Sequence, residues 1–336
     1  MTYWLPVIWA GLIAVAVLAY VLLDGFDLGV GILFAARHDP EDRDVMVNTI
    51  APVWDGNETW LVLGGGGLLA VFPLAYAIVM PAFYPAVIAM LLALVFRGVA
   101  FEFRFRAARA ASRAWWDRAF MAGSALAALC QGMILGGLLQ GVKITDGQYG
   151  GGWFDWLTPF TLLCGVAVVA GYALLGACWL IWRTEGRLQR AARDLARILG
   201  IVVLAAIVAV SIWTPLLNPV YAARWFAWPG ILLTSPVPLL VALVAILFWR
   251  GLARGSDATP FLCAAAWFVL GYAGLGISLW PMMVPPSLTI WQAAAPPASQ
   301  YFLLVGAIVL VPVILAYTGF AYWVFRGKVR PGAHYH

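Results

Sequence analysis

Acidic side chains set inside apolar sequence are the residues of this chain with the most chemistry to offer. Asp24 and Asp27 interrupt a run that is otherwise apolar from Trp4 to Phe34. Their spacing puts both carboxyls on one face of a helix. In a membrane helix each costs about 2.5–3.5 kcal/mol near the centre and less toward the end. Gly25, Gly29 and Gly31 surround them and let a neighbouring helix or cofactor approach closely. Two readings fit: protonatable groups in a proton path, or a structural polar contact near the interface.

A second polar group follows at Pro52, Val53, Trp54, Asp55, Gly56, Asn57, Glu58, Thr59 and Trp60, ahead of the glycines Gly64 to Gly67. Asp55 alone is what ordinary helix capping supplies. Asn57 and Glu58 carry the polarity further into the apolar stretch, and four glycines cost helix propensity that tight packing or a kink would justify. A third group is Arg97, Gly98, Phe101, Glu102, Phe103 and Arg104. Arg97 sits about two turns inside an apolar run, where it can neutralise an acid from either earlier segment. Glu102 has Arg106 one turn on, so a surface ion pair competes with a role in the polar cluster. The candidate set is therefore Asp24, Asp27, Asp55, Asn57, Glu58, Arg97 and Glu102.

Other chemistries find little footing. The three histidines are His38, His334 and His336, none inside an apolar stretch, so a haem held by histidine at mid-membrane is not expected on this chain. Cys130, Cys164, Cys178 and Cys263 lie in apolar sequence without metal-ligand spacing and read as packing residues, as do Met80, Met90, Met121, Met133, Met282 and Met283. No P-loop, zinc motif or serine triad stands in a supporting context. No catalytic, cofactor-binding or metal-ligating residue is assigned.

The elements that must position the acids are membrane helices. Of 336 residues 64% are apolar and only 10% charged, too few charges to cover a soluble domain of this size. Apolar runs of about twenty residues or more recur along the chain, too long for barrel strands. The sequence predicts an all-α polytopic protein with nine spans, near 5–35, 54–75, 80–104, 118–140, 157–183, 198–217, 230–250, 259–282 and 301–326. The apolar start, without a basic leader or small-residue cleavage site, reads as a retained first span. The net charge of +5 is explained by topology, not nucleic acid. Arg37 and Arg43, Arg104 to Arg118, Arg183 to Arg197, Arg250 and Arg254, and Arg326 to Arg330 all fall at one end of the spans, leaving Lys143 and Arg224 at the other. The positive-inside rule then puts the N-terminus outside and the C-terminus in the cytoplasm. Trp, Tyr, Pro and Gly crowd the outer segments Gln148 to Trp156, Trp213 to Trp228 and Trp280 to Gln300, as an interfacial aromatic belt does. Gly171, Tyr172, Ala173, Leu175 and Gly176 recur as Gly271, Tyr272, Ala273, Leu275 and Gly276. If this marks a duplication, spans five and eight are equivalent within a single membrane domain of two related four-helix bundles plus one additional helix. Close helix packing by small residues is the plainer explanation.

The run Asp24-Gly25-Phe26-Asp27-Leu28-Gly29-Val30-Gly31, then Asn48, Ile50, Ala51, Pro52, Trp54-Asp55-Gly56-Asn57 and Trp60, resembles subunit II of the cytochrome bd-type quinol oxidases. The likeness continues through Leu139-Gln140-Gly141, Trp280-Pro281, Pro285, Leu288-Thr289-Ile290-Trp291 and Val311-Pro312, Ile314, Tyr317-Thr318, so it covers essentially the whole chain. It implies a non-haem subunit in the bacterial inner membrane that packs against a haem-bearing subunit I. That partner would carry the quinol site and haems b558, b595 and d, or a b-type replacement for d. The complex would reduce dioxygen to water, and this subunit would contribute proton access and haem-pocket integrity. A small single-span accessory subunit, membrane lipids and a structural quinone are further associates such a complex would take, with no nucleic acid. Gln292 follows Trp291 where many relatives carry an acid, so a polar contact at the outer face is kept while a charge is lost. Short outer loops suggest the cyanide-insensitive branch. A secondary transporter using intramembrane carboxylates, or a purely structural assembly subunit, are the competing readings.

Overall fold

The computed structural model describes residues 3–330. His334 and His336 therefore lie outside the described residues. The chain folds into helices α1 (Trp4–Ile32), α2 (Pro40–Ile50), α3 (Trp54–Val71), α4 (Pro73–Ala82), α5 (Tyr84–Arg106), α6 (Ala110–Gln140), α7 (Pro159–Arg183) and α8 (Gly186–Leu217). They are followed by α9 (Pro219–Phe226), α10 (Ile231–Thr234), α11 (Pro236–Ala253), α12 (Thr259–Leu279), α13 (Ile290–Ala293) and α14 (Pro297–Val324). Two small antiparallel hairpins, β1 (Ile144–Thr145) with β2 (Gln148–Tyr149) and β3 (Met282–Val284) with β4 (Leu288–Thr289), lie at the end of the helices away from the basic segments.

Among the described residues eight helices are long and apolar enough to cross a membrane, or nine if α3 and α4 count as one broken span. The chain is thus a multi-pass helical membrane protein. The expected second span, 54–75, breaks after Val71, and α4 leaves at 120° to α3. The break comes where Pro73 opens α4, because proline has no N–H to continue a helix and favours its first turn. The glycine run is not the kink. Gly64 and Gly67 face Val17 and Ile13 of α1, whereas Gly65 and Gly66 face open space.

The basic segments also differ from expectation. Arginine-rich stretches at 104–118 and 183–197 are mostly helix: α5 runs to Arg106 and α6 begins at Ala110, while α8 begins at Gly186. Ala, Leu, Gln and Arg favour helix, so the spans continue past the apolar zone into water. The unexpected α2 starts at Pro40 and is capped by Asp39, whose side chain accepts from the Glu41 backbone N–H at 3.0 Å.

α1 is the centre of the first half, packed against α3, α6 and α7. Its contact with α7 is backbone on backbone. A Cβ on Gly29 would stand 1.8 Å from the Tyr172 carbonyl oxygen, and one on Gly176 would stand 2.4 Å from the Gly29 carbonyl carbon. Only glycine fits there. In the second copy of the repeat, Gly276 has open space around it. α7 joins this half to α8 and α12, and α12 packs on α11. α14 is peripheral, with Gln300 its single buried residue. At the hairpin end, Gln292 accepts from the Thr289 backbone N–H at 2.9 Å and its hydroxyl at 2.8 Å, closing the first turn of α13.

Candidate functional site

Three helices deliver the acids and one guanidinium to a common place. Asp24 and Asp27 are fully buried on α1 beside the close α1–α7 contact. Arg97, also buried, comes from α5 and places Nη2 3.2 Å from Asp24 Oδ1 and Nη1 2.5 Å from Glu58 Oε1 on α3. Asn57, one residue before Glu58, turns inward: its Nδ2 donates to Asp27 Oδ2 at 2.7 Å and to the Leu23 carbonyl at 3.2 Å. Tyr322 of α14 donates its hydroxyl to Asn57 Oδ1 at 3.0 Å. Asp27 Oδ1 has no hydrogen-bond partner among the described residues.

The pattern behind this is helical. Asn57 and Glu58 are adjacent and so point about 100° apart on α3, one toward α1 and the other toward Arg97. Glu58 keeps 29% of its side chain exposed while Arg97 keeps 1%, so the cluster is closed inside and open at Glu58. Of the sequence-derived candidates, Arg97 joins Asp24 and Glu58, and Asn57 joins Asp27 beside them. Asp55, in the first turn of α3, and Glu102, on α5, are exposed at the basic end, and no ion pair links Glu102 with Arg106 among the described residues.

Sequence reading missed the hydroxyl and amide groups around the acids. Tyr20 lies one turn before Asp24 on the same face of α1. Gln131 of α6 donates to the Tyr20 hydroxyl at 2.7 Å and accepts from the Tyr172 hydroxyl at 2.7 Å. A glutamine alone in an apolar span was the available signal for Gln131. Nothing local marks Tyr322, which is brought in over 265 positions of sequence.

A second network lies two turns further along α5. Arg104 contacts Asp117 of α6 at 2.5 Å and Asp44 of α2 at 2.7 Å, Arg43 reaches Asp117 at 2.8 Å, and Arg113 pairs with Asp44. The guanidinium groups of Arg43 and Arg104 also sit over the ring of Phe34.

Cys130, Cys164, Cys178 and Cys263 are buried and unbonded to one another. Among the described residues no three His, Cys, Asp or Glu side chains are grouped to hold a metal, and His38 is exposed between α1 and α2. The arrangement brings three carboxyl groups and one guanidinium together in two neighbouring contact groups, Arg97 with Asp24 and Glu58, and Asn57 with Asp27.

Residues 5–325 match the family described as Cytochrome bd terminal oxidase subunit II. The chain is 32% identical to the Cytochrome bd-I ubiquinol oxidase subunit 2 of Escherichia coli (strain K12), over 96% of this chain and 94% of that one. It is 30% identical to the Cytochrome bd ubiquinol oxidase subunit 2 of Bacillus subtilis (strain 168), over 96% of each. Its fold is similar to a chain of the bd oxidase from Geobacillus thermodenitrificans, with a TM-score of 0.74, 17% identity, and coverage of 96% of this chain and 98% of that one. The chain belongs to the cytochrome bd terminal oxidase subunit II family.

Proposed function

We propose that this chain, as subunit II of a quinol-oxidising, dioxygen-reducing complex, admits protons from the cytoplasm to the haem-bearing subunit I. Reduction of one dioxygen to two waters consumes four protons, and a dry helical subunit needs titratable groups or ordered water to carry them. Asp55 and Glu102 stand at the mouth; Glu58, Arg97, Asp24, Asn57 and Asp27 lie behind. The observation that carries the reading is a buried guanidinium bound to Asp24 and Glu58, with a third carboxyl, Asp27, held beside them by Asn57, the whole buried except at Glu58. Such closely placed acids titrate as a set, so a proton taken up by one is shared by the others.

The rest of the reading follows the family. Subunit I is the partner and carries the quinol site and haems b558, b595 and d, or a b-type haem in place of d. This chain contributes no haem ligand, stabilises that subunit, and lies in the bacterial inner membrane with its N-terminus outside and its basic face in the cytoplasm. α7 and α12 are counterparts in an internal duplication, a reading supported by the shared Gly-Tyr-Ala-x-Leu-Gly sequence.

The test is Asp27→Asn and Asp55→Asn in the assembled complex. Both variants should assemble and keep haem, while oxygen reduction slows by about tenfold for Asp27→Asn and the pH profile moves. Wild-type oxygen reduction and proton uptake across pH in both variants would overturn the path. Loss of complex or haem without a pH effect would make the acids structural.

A further inference from the structure

At the end of the bundle opposite the basic segments, a cleft of about 620 Å³ is lined by Arg224, Ala273, Gly276, Ile277, Trp280 and Pro281. Its walls are apolar except for one guanidinium. Arg224 comes from α9, which Asn218 caps by accepting from the Val220 N–H. Its Nη1 donates to the Ile277 and Ser278 carbonyls at 3.2 and 2.8 Å, the free carbonyl end of α12. Trp225 Nε1 donates to Ser278 Oγ at 2.9 Å, so α9 is pinned to α12 at two adjacent points. With Nη1 engaged, the Nε–Nη2 edge remains. That edge presents two parallel N–H groups, the geometry that takes two oxygens of a phosphate. Among the described residues no carboxylate pairs with Arg224.

The floor beside it is unusually flat. Gly271 and Gly276 have nothing within 4 Å of where a Cβ would stand. Gly276 belongs to the cleft, and Trp280, 49% exposed, forms its rim. Phe226, Trp228, Leu232 and Leu233 are exposed nearby, the composition of a headgroup and upper acyl zone.

We propose that this cleft binds an anionic phospholipid of the leaflet opposite the basic segments. Its phosphodiester would accept from Nε and Nη2 of Arg224, and an acyl chain would lie over Gly276 beside Trp280. A phosphodiester supplies the negative charge that the chain does not give Arg224, and the apolar walls exclude a free phosphate, which would leave them wet. The site is independent of the carboxylate cluster.

The test uses the whole oxidase complex in phosphatidylcholine nanodiscs doped with phosphatidylglycerol, followed by native mass spectrometry of the released complex. The wild-type complex should retain phosphatidylglycerol above its share of the bilayer. Arg224→Gln should lower that retention about tenfold, the loss of a charge-assisted contact. Because Arg224 also holds α12, the second variant is Gly276→Leu, which keeps the guanidinium and fills the cleft; it should lose the lipid as well. Unchanged retention in either variant, retention of phosphatidylcholine in the same proportion, or recovery of a quinone displaced by Gly276→Leu in place of phospholipid would overturn the site.

Discussion

Arg97 and Arg104 stand seven residues apart on α5, both buried, each bound to two carboxylates from other helices. Around Arg104 the bases outnumber the acids: Arg43, Arg104 and Arg113 share Asp44 and Asp117. Around Arg97 the acids outnumber the base: Asp24 and Glu58 contact it, Asp27 lies three residues from Asp24 on α1 and is held by Asn57, and one oxygen of Asp27 has no partner among the described residues. Each carboxylate of the first network, around Arg104, is matched by two guanidinium groups, and these contacts tie α2, α5 and α6 together. The second has acceptors to spare and an open edge at Glu58. One side chain type, buried on one helix, thus sits among an excess of bases at Arg104 and an excess of acids at Arg97, and only the second setting suits the proposed proton path.

The comparison breaks most severely at Asp117. Removing its carboxylate leaves Arg43 and Arg104 facing one another without their shared acceptor. Breaking a buried pair in this way costs about 3–5 kcal/mol, far more than the pair gains over an apolar replacement. Asp117→Ala should therefore lower the yield of assembled complex about tenfold and depress its thermal unfolding midpoint, with any complex that forms keeping a wild-type pH profile. Asp27→Asn should do the reverse. A stable Asp117→Ala complex with an altered pH profile would erase the distinction between the two networks.

Tyr322→Phe sharpens the comparison on the acid-rich side. Phenylalanine keeps the ring contacts with Phe26 and Trp179, at centroid distances of 6.4 and 6.3 Å, and removes only the hydroxyl that donates to Asn57. The lost bond is worth about 1 kcal/mol. Assembly and haem content should be unchanged, while oxygen reduction falls about threefold and its pH dependence shifts in the same direction as in Asp27→Asn. A lower yield with an unmoved pH profile would make Tyr322 a packing residue.

How much of this could be read in advance follows from range. Asp24 and Asp27 announce themselves because charge inside an apolar run is locally improbable, and Arg97 does so for the same reason. The succession of long apolar helices was legible from apolar length, eight of them or nine with the broken pair, whereas the break at Phe72 was not, because a single Pro73 shifts the end of a helix without changing composition. Asp44 and Asp117 fall outside the expected spans, where a charge draws no notice. Asp117 is buried and Asp44 half-buried, and their meeting at Arg104 depends on where α2 folds back, which is a tertiary fact; α2 itself is polar enough to pass for a loop. Tyr322 is the extreme case: a tyrosine near the end of the last span gives no hint that it closes over Asn57. Asp55 and Glu102 are exposed at the basic end, a position open to the capping and surface readings of the sequence as well as to a mouth of the cluster.

The smallest effect belongs to a third arginine–carboxylate contact, and it is the control for the other two. Arg187, in the first turn of α8, donates to Asp39 and, at 3.1 Å, to Asp42 on the exposed basic face. The Arg187 guanidinium, followed by the Glu41 backbone N–H, holds the Asp39 carboxyl below its ordinary range. A depressed carboxyl pKa stabilises the folded state above the unfolded value of about 3.9 and loses that contribution as pH falls through the folded value. Arg187→Gln removes the larger cause but leaves Asp39 as the cap of α2, where its side chain still accepts from Glu41. At neutral pH the variant should match wild type in yield and oxygen reduction and differ at most slightly in thermal midpoint, because water and salt already screen so exposed a pair. Any residual difference should be greatest near neutral pH at low salt, shrink in high salt, and vanish as pH falls below about 4, where Asp39 becomes protonated in both proteins. A large loss of stability at pH 7 would mean that exposure does not rank these contacts. The contrast drawn between Arg97 and Arg104 would then need a basis other than burial and charge ratio.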